Sequence, residues 1–191
     1  ICACLVGSEM CIRDRGKGCG LNAARDATTY EGKSVYVIGG ADGAVKEALY
    51  LARFARQVSI VCVEDELACI AEFRRKTAAT PNIQVVPATR VGALHGADRV
   101  EALDLVSLAD GRTRTVEDDG CGVFVYAGSE PNTALYAGEL RLENGFIPTN
   151  ERMETSISGV YAAGDIRAKQ LRQVATAVSD GAIAAVNAAT L

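Results

Sequence analysis

A glycine-rich turn offers the clearest opportunity for ligand chemistry in this 191-residue sequence. Its residues are Gly39, Gly40, Ala41, Asp42, Gly43 and Ala44. Backbone N–H groups and the helix dipole at the start of a helix attract a phosphate, and glycine lets the phosphate come close. The spacing resembles the dinucleotide fingerprint G-x-G-x-x-G/A, although Ala41 replaces the second glycine. The turn is therefore a candidate pyrophosphate site, and the alternative is a structural turn that binds no ligand.

Three acidic residues further along the chain, Glu64, Asp65 and Glu66, would select the nucleotide. A free ribose diol is recognised by a carboxylate, whereas a 2′-phosphate is recognised by arginine. No arginine accompanies these acids, and their charge would repel a phosphate. The sequence therefore favours NADH over NADPH, with Glu64 as the ribose ligand. Alternatively, Asp65 and Glu66 cap a helix that we predict over residues 66–76, and both roles can coexist for different acids.

The elements that must position these residues form a βαβ unit. Residues 34–38 and 58–63 are apolar, β-branched runs typical of buried parallel strands. Between them, apolar residues recur at helical spacing from Ala44 to Ala55. A strand, a glycine turn, a helix and a second strand within about thirty residues form the Rossmann arrangement. Further strands are predicted over residues 82–86, 100–108, 112–116 and 122–126, with a hairpin turn at 109–111.

The composition is that of an ordinary globular protein, with 49% hydrophobic and 23% charged residues. A net charge of −4 without a Lys/Arg run argues against a nucleic-acid-binding surface. No apolar stretch reaches the roughly 20 residues that are needed to cross a bilayer. Since no targeting signal is visible either, we predict a cytoplasmic protein that does not associate with membranes.

Seven cysteines and one histidine do not form a recognisable metal site. No two cysteines have C-x-x-C spacing, and a zinc site needs clustered Cys or His ligands. His95 lies in a predicted turn at residues 94–96, where we expect it to be exposed and assign it no role. We predict mostly buried thiols in a reducing compartment.

The first fifteen residues differ in character from the rest of the chain. They lack the features of a signal peptide and resemble a translated sequencing adapter, so we exclude them from the fold prediction. In that interpretation the chain starts within a gene and an upstream segment is missing. The alternative is a native N-terminal strand.

Two stretches resemble the low-molecular-weight thioredoxin reductases. Residues 32–48 are similar to the family's nucleotide loop, G-G-G-D-S-A-x-E-E-A, whose final glutamate falls on Glu47. The similarity is closer over residues 122–185, chiefly in the segments 122–133, 155–165 and 171–177. The resemblance extends over residues 16–191 without a gap.

This resemblance implies an α/β protein with two domains. A Rossmann-like, three-layer NAD(P)H-binding domain would occupy residues 16–128, and residues 129–191 would form the C-terminal part of an FAD-binding domain whose N-terminal half is missing. The implied FAD ligands are Gly164, Asp165, Arg172, Gln173 and Val174. Asp165 would accept a hydrogen bond from a ribitol hydroxyl, and the helix that starts at Gln173 and Val174 would face the flavin ring. The alternative is an ordinary alanine-rich core helix after a Gly-Asp turn.

The family's C-x-x-C motif is replaced in this chain by Asn22, Ala23, Ala24 and Arg25. A dithiol is needed to relay two electrons from flavin to a disulfide, and these residues cannot form one. The resemblance therefore implies hydride transfer from NADH or NADPH to FAD, then to a non-disulfide acceptor that is a small molecule or a small redox protein. Two alternatives remain: a thioredoxin-disulfide reductase whose dithiol lies elsewhere, and a non-catalytic nucleotide-binding module. The resemblance also implies a homodimer.

Overall fold

The computed structural model describes residues 17–20, 22–128 and 131–190. The segment that we predict to be adapter-derived, residues 1–15, lies outside the described residues. The chain divides after Gly128 into two compact units. None of the helices within the described residues combines the length and the apolar character that a membrane crossing requires.

Within the described residues, the first unit contains eight strands and three of four α-helices. The strands are β1 (Cys19–Gly20), β2 (Ser34–Ile38), β3 (Gln57–Val61), β4 (Ile83–Val86), β5 (Thr89–His95), β6 (Ala102–Ser107), β7 (Thr113–Glu117) and β8 (Gly122–Val125). The helices are α1 (Ala23–Asp26), α2 (Asp42–Leu51), α3 (Ala71–Ala78) and, in the second unit, α4 (Val174–Ala188). Five strands form a parallel sheet in the order β1-β8-β2-β3-β4, and β5, β6 and β7 form an antiparallel sheet.

The parallel sheet is the middle of three layers. Side chains alternate along β2, so that Val35 and Val37 pack into the core on the helical side while Tyr36 and Ile38 pack towards the antiparallel sheet. All five residues of β2 are buried, as expected for a parallel strand covered on both faces. The predicted three-layer α/β fold is confirmed.

Several predicted boundaries are correct. The strand over residues 34–38 is reproduced residue for residue, and the other predicted strands agree to within two residues at each end. The predicted hairpin is formed by β6 and β7, which pair antiparallel.

Two helix predictions need correction. The helix expected to run to Ala55 ends at Leu51, because the chain turns there and Gly32 donates a hydrogen bond to the carbonyl oxygen of Phe54 at 3.0 Å. The helix predicted over residues 66–76 begins instead at Ala71, and Ile70 precedes it as the N-cap residue. Asp65 and Glu66 therefore do not cap it.

Strand β5 was not predicted. Its pairing with β6 shifts register between Val91 and Ala93, so the alternation that identifies a strand is interrupted. His95 is the last residue of β5 rather than part of a turn. Its Nε2 atom lies 2.9 Å from a carboxylate oxygen of Asp104, and about half of the side chain is exposed.

The second unit has little regular structure apart from α4. A 3-10 turn spans Ala134–Tyr136, and a small core is formed by Leu140, Ile147 and Ala162. Helix α4 begins directly after Gln173, as the sequence predicted. The apolar side chains of Val174 and Val178 on this helix are exposed.

Candidate functional site

The glycine turn lies where the carboxyl ends of β2 and β8 meet. Gly39 has a φ of +127°, and a Cβ atom at this position would collide with the carbonyl oxygen of Tyr126. Its N–H donates a hydrogen bond to the carbonyl oxygen of Val61 at 2.8 Å. Only glycine satisfies this geometry, so the first residue of the turn is fixed by contact with two neighbouring strands.

The start of α2 provides the donors that a pyrophosphate needs. Ala41 is extended and offers no side-chain hydrogen bond to the first turn. Ala44 is 1% exposed and packs closely against Gly39, which brings the helix onto the turn. A Cβ at Gly43 would meet nothing within 4 Å, so there is open space beside these amides. Uncapped N–H groups next to open space fit a bound diphosphate.

Glu64 reaches the same turn from the end of β3. Its Oε2 atom lies 3.1 Å from the position that a Cβ on Gly40 would occupy. The carbonyl oxygen of Glu64 accepts a hydrogen bond from Ala88 at 2.8 Å, which fixes its backbone. The structure therefore brings the predicted ribose ligand and the predicted pyrophosphate turn together. Asp65 and Glu66 instead line a separate groove with Arg74 and Thr77.

Glu47 lies further along α2. It lines a groove of about 680 Å³ on the helical side of the sheet, together with Ala24 and Phe73. Burial, followed by the charge of Glu47, raises the pKa of Tyr126 to about 12. Glu47 is thus near the residue that shapes the turn, and its role as a cofactor ligand stays a prediction.

The residues at the C-x-x-C position form a short capped helix. Asn22 precedes α1, and its Oδ1 atom accepts a hydrogen bond from the backbone N–H of Arg25 at 3.0 Å. The guanidinium of Arg25 donates to both carboxylate oxygens of Asp26, at 2.7 and 2.8 Å. The side chains of Asn22 and Arg25 are therefore both engaged in local hydrogen bonds.

The cysteines of the described residues are all buried: Cys19, Cys62, Cys69 and Cys121. Burial raises the pKa of the Cys62 thiol, and the charge of Glu64 adds to the effect. Burial also raises the pKa of Cys121 to about 12. Because the thiolate is the reactive form, these two thiols are poorly suited to disulfide exchange near neutral pH. In the described part of the chain, no three His, Cys, Asp or Glu side chains cluster as metal ligands.

A buried charge cluster in the second unit was not anticipated from the sequence. The Gly164 N–H donates to Oδ2 of Asp180 at 3.0 Å, and Asp180 also pairs with Arg167 at 2.7 Å and Lys169 at 2.9 Å. Burial opposes ionisation of Asp180, but hydrogen bonds from Lys169, Arg167 and Gly164 outweigh it and lower its pKa. The available signal was an aspartate inside an otherwise alanine-rich helical run.

The predicted flavin ligands surround the turn that this cluster holds. Gly164 has a φ of +85°, and the side chain of Asp165 is 61% exposed. The Nε atom of Arg172 donates to the carbonyl oxygen of Asp165 at 3.3 Å. Gln173 and Thr176 form a capping box at the start of α4, which leaves Val174 in the first turn 82% exposed. An exposed carboxylate beside a helix N-terminus is a donor and acceptor set that fits a ribitol chain and a flavin edge.

The chain is similar in sequence to a known protein family. Residues 14–181 match the family model described as pyridine nucleotide-disulphide oxidoreductase. The chain is 41% identical over 178 residues to the thioredoxin reductase of Peptoclostridium acidaminophilum and 42% identical over 178 residues to that of Peptoclostridium litorale. Each alignment covers 91% of this chain and 56% of the relative. The chain thus spans a little over half the length of these curated relatives.

Solved structures agree with the sequence relatives. The crystal structure of Lactococcus lactis thioredoxin reductase in its FR conformation matches with a TM-score of 0.79 at 29% identity. That match covers 97% of this chain and 60% of the crystallised chain.

Proposed function

This chain belongs to the pyridine nucleotide-disulphide oxidoreductase family, and we propose that it carries the nucleotide-binding domain and part of the flavin-binding domain of a thioredoxin reductase-type enzyme. In this proposal the enzyme transfers hydride from a nicotinamide nucleotide to FAD. The nucleotide-binding domain corresponds to residues 16–128 and the flavin-binding part to residues 129–191. FAD, when bound, supplies the chemistry by accepting the hydride and releasing electrons to an acceptor.

The observation that carries the proposal is the convergence of Gly39, Gly40 and Glu64 at one edge of the parallel sheet. The turn supplies backbone N–H groups for a pyrophosphate, and the Glu64 carboxylate beside Gly40 supplies an acceptor for the ribose hydroxyls. In parallel α/β sheets, ligands bind at the carboxyl ends of the strands, which is the edge that holds these residues.

We propose NADH as the preferred donor. Residues 62–70 contain three acids and neither arginine nor lysine. A 2′-phosphate placed near Glu64 would meet a carboxylate instead of a guanidinium, and the repulsion would weaken NADPH binding.

For the flavin, the side-chain carboxylate of Asp165 would accept a hydrogen bond from a ribitol hydroxyl. The N-terminus of α4 at Gln173 and Val174 would face the ring and favour its negatively charged reduced form. Gly164 and Arg172 would shape the turn between these two ligands. The expected assembly is a homodimer.

The proposed acceptor is a small molecule or a small redox protein that is not reduced through a dithiol of this chain's α1. Asn22 and Arg25 occupy the position of the family's redox motif, and burial raises the pKa of the Cys62 and Cys121 thiols. The curated relatives are named thioredoxin reductase, which favours a second candidate function. This is a thioredoxin-disulfide reductase whose dithiol lies elsewhere. A non-catalytic nucleotide-binding module is the third.

Nucleotide titration of the 191-residue chain by calorimetry tests the donor site. NADH should bind about tenfold more tightly than NADPH, because an interaction with a charged group is worth roughly 1.5 kcal/mol. Glu64→Gln should remove most of this difference, whereas the matched variant Glu66→Gln should leave it in place. Equal binding of both nucleotides by the unmodified chain, or binding of neither, would contradict the proposal.

The acceptor is tested on a protein extended to the full length of the relatives. Under anaerobic conditions NADH should bleach the flavin absorbance, and a quinone should restore it while oxidised thioredoxin does not. Turnover with thioredoxin would favour the second candidate. A flavin that NADH never reduces would favour the non-catalytic module.

A further inference from the structure

The loop between β3 and α3, residues 62–70, is tied at both ends to other elements. At its start, the carbonyl oxygens of Cys62 and Glu64 accept hydrogen bonds from the N–H groups of Thr89 and Ala88, at 2.9 and 2.8 Å. At its end, the N–H of Ile70 donates to Oδ1 of Asp42 at 2.8 Å. Glu64 therefore lies in a segment whose two ends are both anchored.

Asp42 is an acidic residue at the candidate pyrophosphate turn. It occupies the first turn of α2, where a negatively charged side chain would repel a bound diphosphate. One carboxylate oxygen accepts a hydrogen bond from the N–H of Ile70, the N-cap residue that precedes α3. Asp42 thus connects the pyrophosphate turn directly to the loop that carries Glu64.

Two apolar residues of the loop are buried, whereas its acidic residues are exposed. Leu67 and Cys69 are buried in the core on the helical side, and Arg74 donates to the carbonyl oxygen of Leu67 at 3.1 Å. Asp65 and Glu66 are exposed. The hydrogen bond to Asp42 thus adds a polar contact between the end of the loop and α2 to the apolar packing of Leu67 and Cys69.

We propose that Asp42 is a positioning residue for the adenosine ribose. By accepting the Ile70 N–H it holds the loop against the glycine turn, so that the Glu64 carboxylate stays beside Gly40. This role rests on the proposed nucleotide function. It concerns any nucleotide that carries the adenosine ribose, whether or not a nicotinamide is attached.

Two substitutions separate the hydrogen bond from the charge in the full 191-residue chain. Asp42→Asn keeps a carbonyl acceptor and removes the charge, whereas Asp42→Ala removes both. Asp42→Ala should weaken NADH and ADP-ribose binding by about five- to tenfold each, because it releases the loop. Asp42→Asn should bind both within about twofold of the unmodified chain. Asp65→Ala, which removes a carboxylate from the same loop, should not weaken NADH binding.

Amide hydrogen exchange gives a readout that does not depend on a ligand. In Asp42→Ala the Ile70 amide should exchange faster, while Asp42→Asn should retain its protection. Unchanged or tighter binding in both variants, with a protected Ile70 amide, would overturn the positioning role and leave the nucleotide function standing. If the unmodified chain binds neither NADH nor ADP-ribose, the nucleotide function fails and the role of Asp42 fails with it.

Discussion

The glycine turns at Gly39 and Gly164, which we assign to the nucleotide and to the flavin, are fixed by different forces. At Gly39 the carbonyl oxygen of Tyr126 leaves no room for a side chain, and the backbone is paired with Val61. At Gly164 the N–H is bound by Asp180, whose carboxylate also holds Arg167 and Lys169. The first turn is set by contacts between uncharged strands, and the second by a cluster of charges.

The difference follows from how much apolar surface each unit buries. The first unit has a core on each face of the parallel sheet, whereas the second has a core of Leu140, Ile147 and Ala162. A small core contributes little burial energy, so polar contacts must supply more of the local order. The two turns should therefore respond differently to an added side chain, to the removal of a charged group and to a lower pH.

The largest effect is expected from Gly39→Ala. The substitution forces a Cβ against the carbonyl oxygen of Tyr126 in a backbone region that alanine avoids, which should cost about 3–5 kcal/mol. Urea unfolding measures this cost, and NADH binding should be lost with it. Gly43→Ala is the matched control, because its Cβ would meet nothing within 4 Å and alanine favours a helix. Equal stability of the two variants would show that sterics do not fix the first turn.

Asp180→Ala tests the second turn. It leaves Arg167 and Lys169 without their shared partner, and each of those side chains is only 12% exposed. We expect a loss of about 2–3 kcal/mol, less than for a fully buried pair because both cations remain close to water. Exchange of the Gly164 amide should accelerate, while the Gly39 amide keeps its protection.

Asp165→Ala is the control for this substitution. Its carboxylate is 61% exposed and lies 3.7 Å from Lys169, so its removal should change stability by less than about 1 kcal/mol. A comparable loss in both variants would mean that the second turn is not held specifically by Asp180.

Lowering the pH should affect the two turns differently in the unmodified chain. The folded-state pKa of Asp180 is lowered, so its stabilising contribution is fully present above its unfolded pKa of about 3.9 and is lost as the pH falls through the folded value. Gly164 should therefore lose exchange protection at a higher pH than Gly39, which contacts the backbone carbonyl oxygens of Val61 and Tyr126. The same pH profile at both amides would contradict the comparison.

The sequence predicted the first turn better than the second for a physical reason. Strand β2 and the start of α2 are identified by local periodicity and by glycine, and these signals lie within a few residues of each other. The start of α3 was predicted wrongly because Leu67 and Cys69 are buried by tertiary packing, which no local pattern records. The Asp180 cluster joins residues 11 to 16 positions apart in the chain, so only the folded structure brings them together.

The smallest expected effect tests whether the charge of Arg172 also helps to hold the turn at Gly164. The guanidinium of Arg172 lies 3.8 Å from the ring centroid of Phe146 while its Nε atom donates to the carbonyl oxygen of Asp165. A double-mutant cycle with Arg172→Leu and Phe146→Leu should give a coupling energy of about 0.5–1 kcal/mol, because the cation then has no ring to stack on. A coupling energy near zero would restrict the charge-dependent anchoring of this turn to Asp180 and its two partners. A clear coupling would extend it to the residue that precedes the Gln173 cap, and thus to the start of α4.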